Sequence, residues 1–146
     1  MRLHQVLMFG AGLIMGANAY EFTVYNNVFD CNANKDSKYK IYEGNADTCI
    51  ALGKAPPSDA KCSLYTDGGF ADPAACGDDG FYGDSLFFNS LKTQVLGSNT
   101  CWECELFTDW SCEIPVNLQT DDKCQAYGGH GIGGVKCGPA KKLGGC

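Results

Sequence analysis

The chain has 146 residues, ten of them cysteine, and its 17 acidic side chains against 11 basic ones give a formal charge of −6. Arg2 is the only arginine. Phosphate recognition rests on Lys and Arg, so this balance excludes nucleic acid as an expected partner and offers anionic lipid no attraction.

Arg2, the apolar run Val6–Gly16 and the small-x-small triplet Ala17-Asn18-Ala19 have the pattern of a secretory leader cleaved after Ala19. The run is too short to cross ~30 Å of hydrocarbon as a helix, and no later segment approaches that length, so membrane insertion is not expected. The chain therefore divides into a leader, 1–19, and one secreted, extracellular domain, 20–146. Its charge becomes −7 once the single positive charge of Arg2 is taken from −6. All the cysteines fall in that domain: Cys31, Cys49, Cys62, Cys76, Cys101, Cys104, Cys112, Cys124, Cys137 and Cys146. An even, dense set in a short secreted chain reads as a disulfide framework. Ten cysteines allow ~945 pairings, so the connectivity stays open.

In chain order, Glu21–Tyr25 alternates and predicts a strand, followed by a polar loop pinned by Cys31. Tyr39–Tyr42 predicts a second strand turned by Glu43-Gly44-Asn45. Ala46–Leu52 is expected as a short helix ended by Gly53, before Pro56-Pro57 interrupts regular structure. Cys62–Tyr65 is a strand with Asp67-Gly68-Gly69 as its turn, and Asp72–Cys76 one helical turn with Pro73 at its first position. Gly77–Gly83 is an acidic loop. Asp84–Asn89 and Leu91–Val95 predict two short strands, and Ile114–Leu118 an edge strand that tolerates Pro115. Asp121–Tyr127 is expected as a helical turn around Cys124. Residues 127–146 form a glycine-rich C-terminal segment tied by its cysteines.

Lys61–Asp67 and Glu103–Asp109 share the kernel Cys-x-Leu-aromatic-Thr-Asp, an alternating strand running into a turn. A weaker copy lies at Lys40–Cys49. The fold class that follows is all-β, or β-rich α+β: a compact disulfide-stapled β-sandwich with Greek-key-like repeats and one or two short helices.

Asn89–Val95, then Gly97, Trp102 and Leu106-Phe107-Thr108-Asp109, is similar to the Greek-key pattern of the βγ-crystallins. That family's calcium signature is not matched at Asp78-Asp79 or Asp121-Asp122, so neither calcium nor another cofactor is expected. Taken whole, the leader, the ten cysteines and the repeated units resemble the small cysteine-rich secreted proteins of filamentous fungi, among which plant-pathogen effectors are common. The resemblance implies an apoplastic or host-directed role.

Cys101-Trp-Glu-Cys104 has redox or half-zinc spacing, but without a second pair or a neighbouring histidine pair it reads as structural disulfide. His130, alone among glycines, reads as solvent-facing. Asp78, Asp79, Asp84, Glu103, Glu105 and Asp109 are candidate hydrolytic carboxylates only by abundance, with Glu103 and Glu105 on one strand face. No catalytic, cofactor-binding or metal residue is therefore assigned. Trp102, Trp110, Phe81 and Tyr82, with Tyr65 and Phe107 as further aromatics, form the expected recognition surface. The expected function is that of a non-enzymatic secreted effector acting on a host extracellular protein or receptor. The alternatives are a module binding cell-wall glycan and a killer-toxin-like antimicrobial.

Overall fold

The computed structural model describes residues 18–91, 100–116, 123–128 and 131–141. Ten strands run β1 (Tyr20–Tyr25), β2 (Tyr39–Gly44), β3 (Cys49–Ala51), β4 (Ala60–Tyr65), β5 (Ala74–Ala75), β6 (Ser85–Leu91), β7 (Thr100–Phe107), β8 (Pro115–Val116), β9 (Gln125–Ala126) and β10 (Gly134–Lys141). They form two antiparallel sheets, ordered β5-β4-β2-β1-β6-β9 and β3-β10-β7-β8. The all-β expectation is met.

Period-two alternation explains the central strands. Tyr20, Phe22 and Val24 of β1, Tyr42 of β2 and Leu86 and Phe88 of β6 point inward from the larger sheet. Ile50, Leu106 and Val135, which are register partners across β3, β10 and β7, point inward from the smaller one. Together they make one buried cluster with Leu52, Phe81, Val116 and Ile132. The Cys104–Cys137 bridge lies in the same core, joining directly opposed residues of β7 and β10.

Helix was over-predicted. Among the described residues there is no α-helix, only a 3₁₀ turn at Asp67–Gly69. Cys49–Ala51, expected in a helix, is β3, because Cys49 is bonded to Cys112 and Ile50 is buried opposite Val135. Ala74–Ala75, expected in a helical turn, is β5, held against β4 by Cys62–Cys76. Gln125–Ala126, likewise, is β9 on β6. The expected break near Ser90 is absent, since β6 runs unbroken to Leu91 with a register shift opposite Glu21/Phe22. Residues 92–95, expected to continue as a strand, lie outside the described residues, as do residues 117–118.

The largest difference is at the C-terminal end. Gly134–Lys141 is not held by its cysteines alone: it is β10, paired with β7 along its whole length and with β3 at its start. Gly138 and Pro139 mask its strand character. Pro139 is tolerated because β3 covers only Gly134–Lys136, so the missing N–H interrupts no second ladder. The two repeat kernels do form strand-then-turn units, but β4 lies in the larger sheet and β7 in the smaller.

Residues 1–17 lie outside the described residues. Ala19, the expected last residue of the leader, is buried, and its N–H donates to Gly44 O and Asn45 Oδ1, both at 2.9 Å. The outermost strands β5, β9, β3 and β8 have two or three residues each, so most of β4, β6, β10 and β7 has no neighbour on that side among the described residues.

Four disulfides join described residues: Cys31–Cys124, Cys49–Cys112, Cys62–Cys76 and Cys104–Cys137. The sulfurs of Cys101 and Cys146 lie outside the described residues. Four bridges mark a fold that matures in an oxidising compartment. Their sequence separations of 93 and 14 suggest that Cys31–Cys124 restricts the unfolded chain far more than Cys62–Cys76. However, Cys49–Cys112 already shortens the first loop to a path of about 30 residues. Removing the Cys31–Cys124 pair by alanine substitution should therefore cost only about 0.5–1 kcal/mol more than removing Cys62–Cys76. Denaturant midpoints of the two double variants test this, and a gap of several kcal/mol would contradict it.

Candidate recognition surface

Four loops converge at one end of the sandwich: Leu52–Asp59 after β3, Gly77–Asp84 before β6, Thr108–Ile114 after β7 and Gly131–Gly133 before β10. Their backbones are joined directly. Leu52 N donates to Gly133 O, Gly133 N to Phe107 O, and the amides of Asp79 and Gly80 both to Gly53 O.

Beneath them lies Lys40. Its position in β2 points inward, and its side chain is fully buried. Nζ donates to Leu52 O at 2.7 Å and to Asp79 Oδ1 at 2.9 Å, and stands 4.9 Å from the centre of the Phe81 ring. A buried ammonium is tolerated only when paired and hydrogen-bonded; two oxygens take donors here and the ring faces the charge. The same Asp79 oxygen accepts from Phe81 N, so one carboxylate orders the loop and neutralises the charge beneath it. Burial and the nearby Asp79 charge raise the pKa of Tyr42, whose hydroxyl lies 3.4 Å from Leu52 O. Tyr20, farther along the core, is pushed up to about 12, chiefly by burial.

Above this base, Tyr82 and Trp110 stack with ring centres 4.9 Å apart. Tyr82 is 40% exposed, Trp110 is half-buried, and Lys54 Nζ lies 5.4 Å from the Trp110 ring centre. Trp110 Nε1 donates to Phe81 O at 3.2 Å. The indole rests on Gly53, where a methyl would come within 2.6 Å of Cε2. At Gly133 a methyl would meet Thr108 O at 2.8 Å as well as Tyr82 Cε1 at 2.9 Å, so that glycine admits the turn backbone and the tyrosine ring together.

The turn presenting Trp110 is closed by Asp109, whose carboxylate accepts from the amides of Ser111, Glu113 and Ile114 at 2.8–3.2 Å. Cys112 adopts a left-handed φ of 54° within this turn and is fixed to Cys49. Partial desolvation pushes the Asp109 carboxyl up, but the three amide donors outweigh it and hold its pKa below the ordinary 3.8.

The expected aromatic surface is thus divided. Trp110 and Tyr82 come together at the surface, with Phe81 6% exposed beneath them. Trp102 is elsewhere, half-buried on β7 with its ring 6.1 Å from that of Tyr20. Phe107 is buried, whereas Tyr65, its counterpart in the repeat, stacks on Tyr39 at 4.8 Å on the outer face of the larger sheet. Gly53, expected only as the end of a helix, lies under the indole, and Lys54, which carries no sequence signal of its own, stands over it.

The carboxylates are dispersed. Asp78 accepts from Ala55 N, Asp79 binds Lys40, and Asp84 accepts from Asn27 N. Glu103 and Glu105 do share the outer face of β7, beside a cleft of about 480 Å³ that also includes Asp47 and Lys136. Cys104 of the Cys-x-x-Cys spacing is bonded to Cys137, not to Cys101. His130 lies outside the described residues. Among the described residues, no group of three or more His, Cys, Asp or Glu side chains is placed to hold a metal ion.

Gly53→Ala should displace the indole, red-shift Trp110 emission in a Trp102→Phe background and cost about 1–3 kcal/mol. Unchanged emission and stability would contradict this packing. The lowered Asp109 carboxyl adds a pH dependence. Its contribution is complete above the unfolded value near 3.8 and is lost as pH falls through the lower folded value. A carboxyl NMR titration should place its midpoint below 3.8, and an Asp109→Asn variant should lack this acid transition in Trp110 emission.

Comparisons with protein families, with curated proteins and with solved structures found no match to this chain. The molecule is a small cysteine-rich all-β protein with four disulfides among its described residues.

Proposed function

We propose that this is a secreted, effector-like protein that acts outside the cell by binding a host protein through the Tyr82–Trp110–Lys54 surface. The observation that carries the reading is a rigid exposed aromatic stack with a cation over it. It stands on loops fixed by a buried ion pair, an Asp109-closed turn and the Cys49–Cys112 bridge. Trp and Tyr are the side chains that most often dominate binding energy at protein interfaces. Held rigidly, they lose little entropy on association. The disulfides suit an extracellular life. The leader pattern of residues 1–19 supports secretion.

Infiltration of purified protein into the extracellular space of candidate host leaves tests the reading. Suppressed defence or genotype-dependent cell death is expected from the wild type. Tyr82→Ala and Lys54→Glu should each weaken the response about tenfold in dose, with unchanged circular dichroism and a melt that stays cooperative. A response fully retained by the double variant would remove this surface from the function. No response from folded wild-type protein on any host would count against the host-directed reading itself.

A further inference from the structure

A second surface lies on the outer face of the six-stranded sheet, across the Gly83–Ser85 segment from Tyr82. There β1 and β6 present Tyr25, Phe87 and Asn89 beside a cleft of about 520 Å³. The loop residues Asp30 and Lys123 complete its lining, held by the Cys31–Cys124 bridge that joins their neighbours. We propose that this cleft binds a neutral oligosaccharide.

The cleft has the size of a small-molecule site, for which about 300–1,000 Å³ is usual. Its composition is neither an apolar groove nor a charged funnel. Tyr25 and Phe87 are half-buried aromatic walls, able to cover the apolar C–H faces of a sugar ring. Asn89 is exposed, yet its carboxamide is oriented, because Oδ1 accepts at 2.8 Å from the hydroxyl of the buried Thr23. That bond directs the Nδ2 end of the amide, the end Thr23 does not hold, towards other partners. Asp30 and Lys123 contribute opposite charges, so the lining has no net sign to select an ion. The chain's formal charge of −6 disfavours an anionic polysaccharide. A ligand with apolar ring faces, many hydroxyls and no charge matches each of these features.

The neighbouring strands lengthen the surface. Tyr25 is the register partner of Tyr39, and Tyr39 of Tyr65, so three tyrosines cross the sheet in a row leading from the cleft. Their ring centres are 5.5 and 4.8 Å apart. Tyr39 and Tyr65 lie within 8° of parallel, so their facing surfaces cover each other, and the Tyr39 hydroxyl lies against Gly69. Ring stacking on a sugar therefore belongs to the cleft at Tyr25 and Phe87. Neither Tyr82 nor Trp110 takes part, so the inference stands apart from the protein-binding reading.

Isothermal titration of the full secreted protein with chitohexaose and with laminarihexaose tests the proposal, the two probes separating amino-sugar from glucose recognition. Saturable binding of one of them is expected. Tyr25→Ala and Asn89→Ala should each weaken it about tenfold, and Tyr82→Ala should leave it unchanged. Asn89 is exposed, so its variant keeps the test decisive should Tyr25→Ala fail to fold. No saturable binding of either probe at millimolar concentration would overturn the proposal. So would binding that folded Asn89→Ala retains in full, or binding that Tyr82→Ala abolishes.

Discussion

The structure turns on one buried charge. The Lys40 ammonium lies inside a small β-sandwich, where an unpaired charge would cost several kcal/mol. Its partners come from two segments distant from it in sequence: the carbonyl of Leu52 just after β3, and the carboxylate of Asp79 with the ring of Phe81 in the acidic loop. The larger sheet is thereby tied to the end of the smaller one and to the loop between β5 and β6. Because Asp79 is partly exposed, the pair is not deeply stabilising; its importance is positional. Should the loop lift away, the ammonium would lose both its countercharge and its aromatic cover. A loop containing Gly77, Gly80 and Gly83 can therefore hold Tyr82 in a fixed place.

The disulfides work by a different route. A domain of this size buries a modest core, and cross-links stabilise it mainly by restricting the unfolded chain. The bridges also decide local structure. Cys62–Cys76 holds the two-residue strand β5 on β4, Cys49–Cys112 holds β3 beside the Trp110 turn, and Cys31–Cys124 holds two loops together near β9. Such short strands have too little ladder to persist alone.

The strands that alternate cleanly were legible in the sequence: Glu21–Tyr25, Tyr39–Tyr42 and Cys62–Tyr65 all fall within observed strands. Pro115 was rightly read as an edge residue, since β8 pairs on one side only. Local propensity failed where pairing is long-range. β3 and β10 are 83 positions apart at the Ala51–Gly134 pair, and no local signal in Gly134–Lys141, with its glycines and proline, announces a central strand. Lys40 was illegible for a related reason. A lysine beside Ile41 in an alternating strand reads as the solvent side, and only the distant Asp79 and Leu52 carbonyl make its burial tolerable. For the candidate surface, aromatic content pointed equally to Trp110, Tyr82 and Trp102 and did not show that only the first two come together. That distinction depends on which tryptophan follows the strand into a turn and which stays on an inward-facing position of β7.

The central claim is that Lys40 holds the acidic loop bearing Tyr82 in place. Hydrogen exchange on the wild type and on Lys40→Met tests it most directly. The amides of Asp79 and Gly80, which donate to Gly53 O, and that of Phe81, which donates to Asp79, should lose protection in the variant. The amides pairing β7 with β10 should keep theirs. Unchanged protection at residues 79–81 would show that the loop is held without the buried charge, and equal loss throughout both sheets would show that Lys40 supports the whole fold rather than this surface.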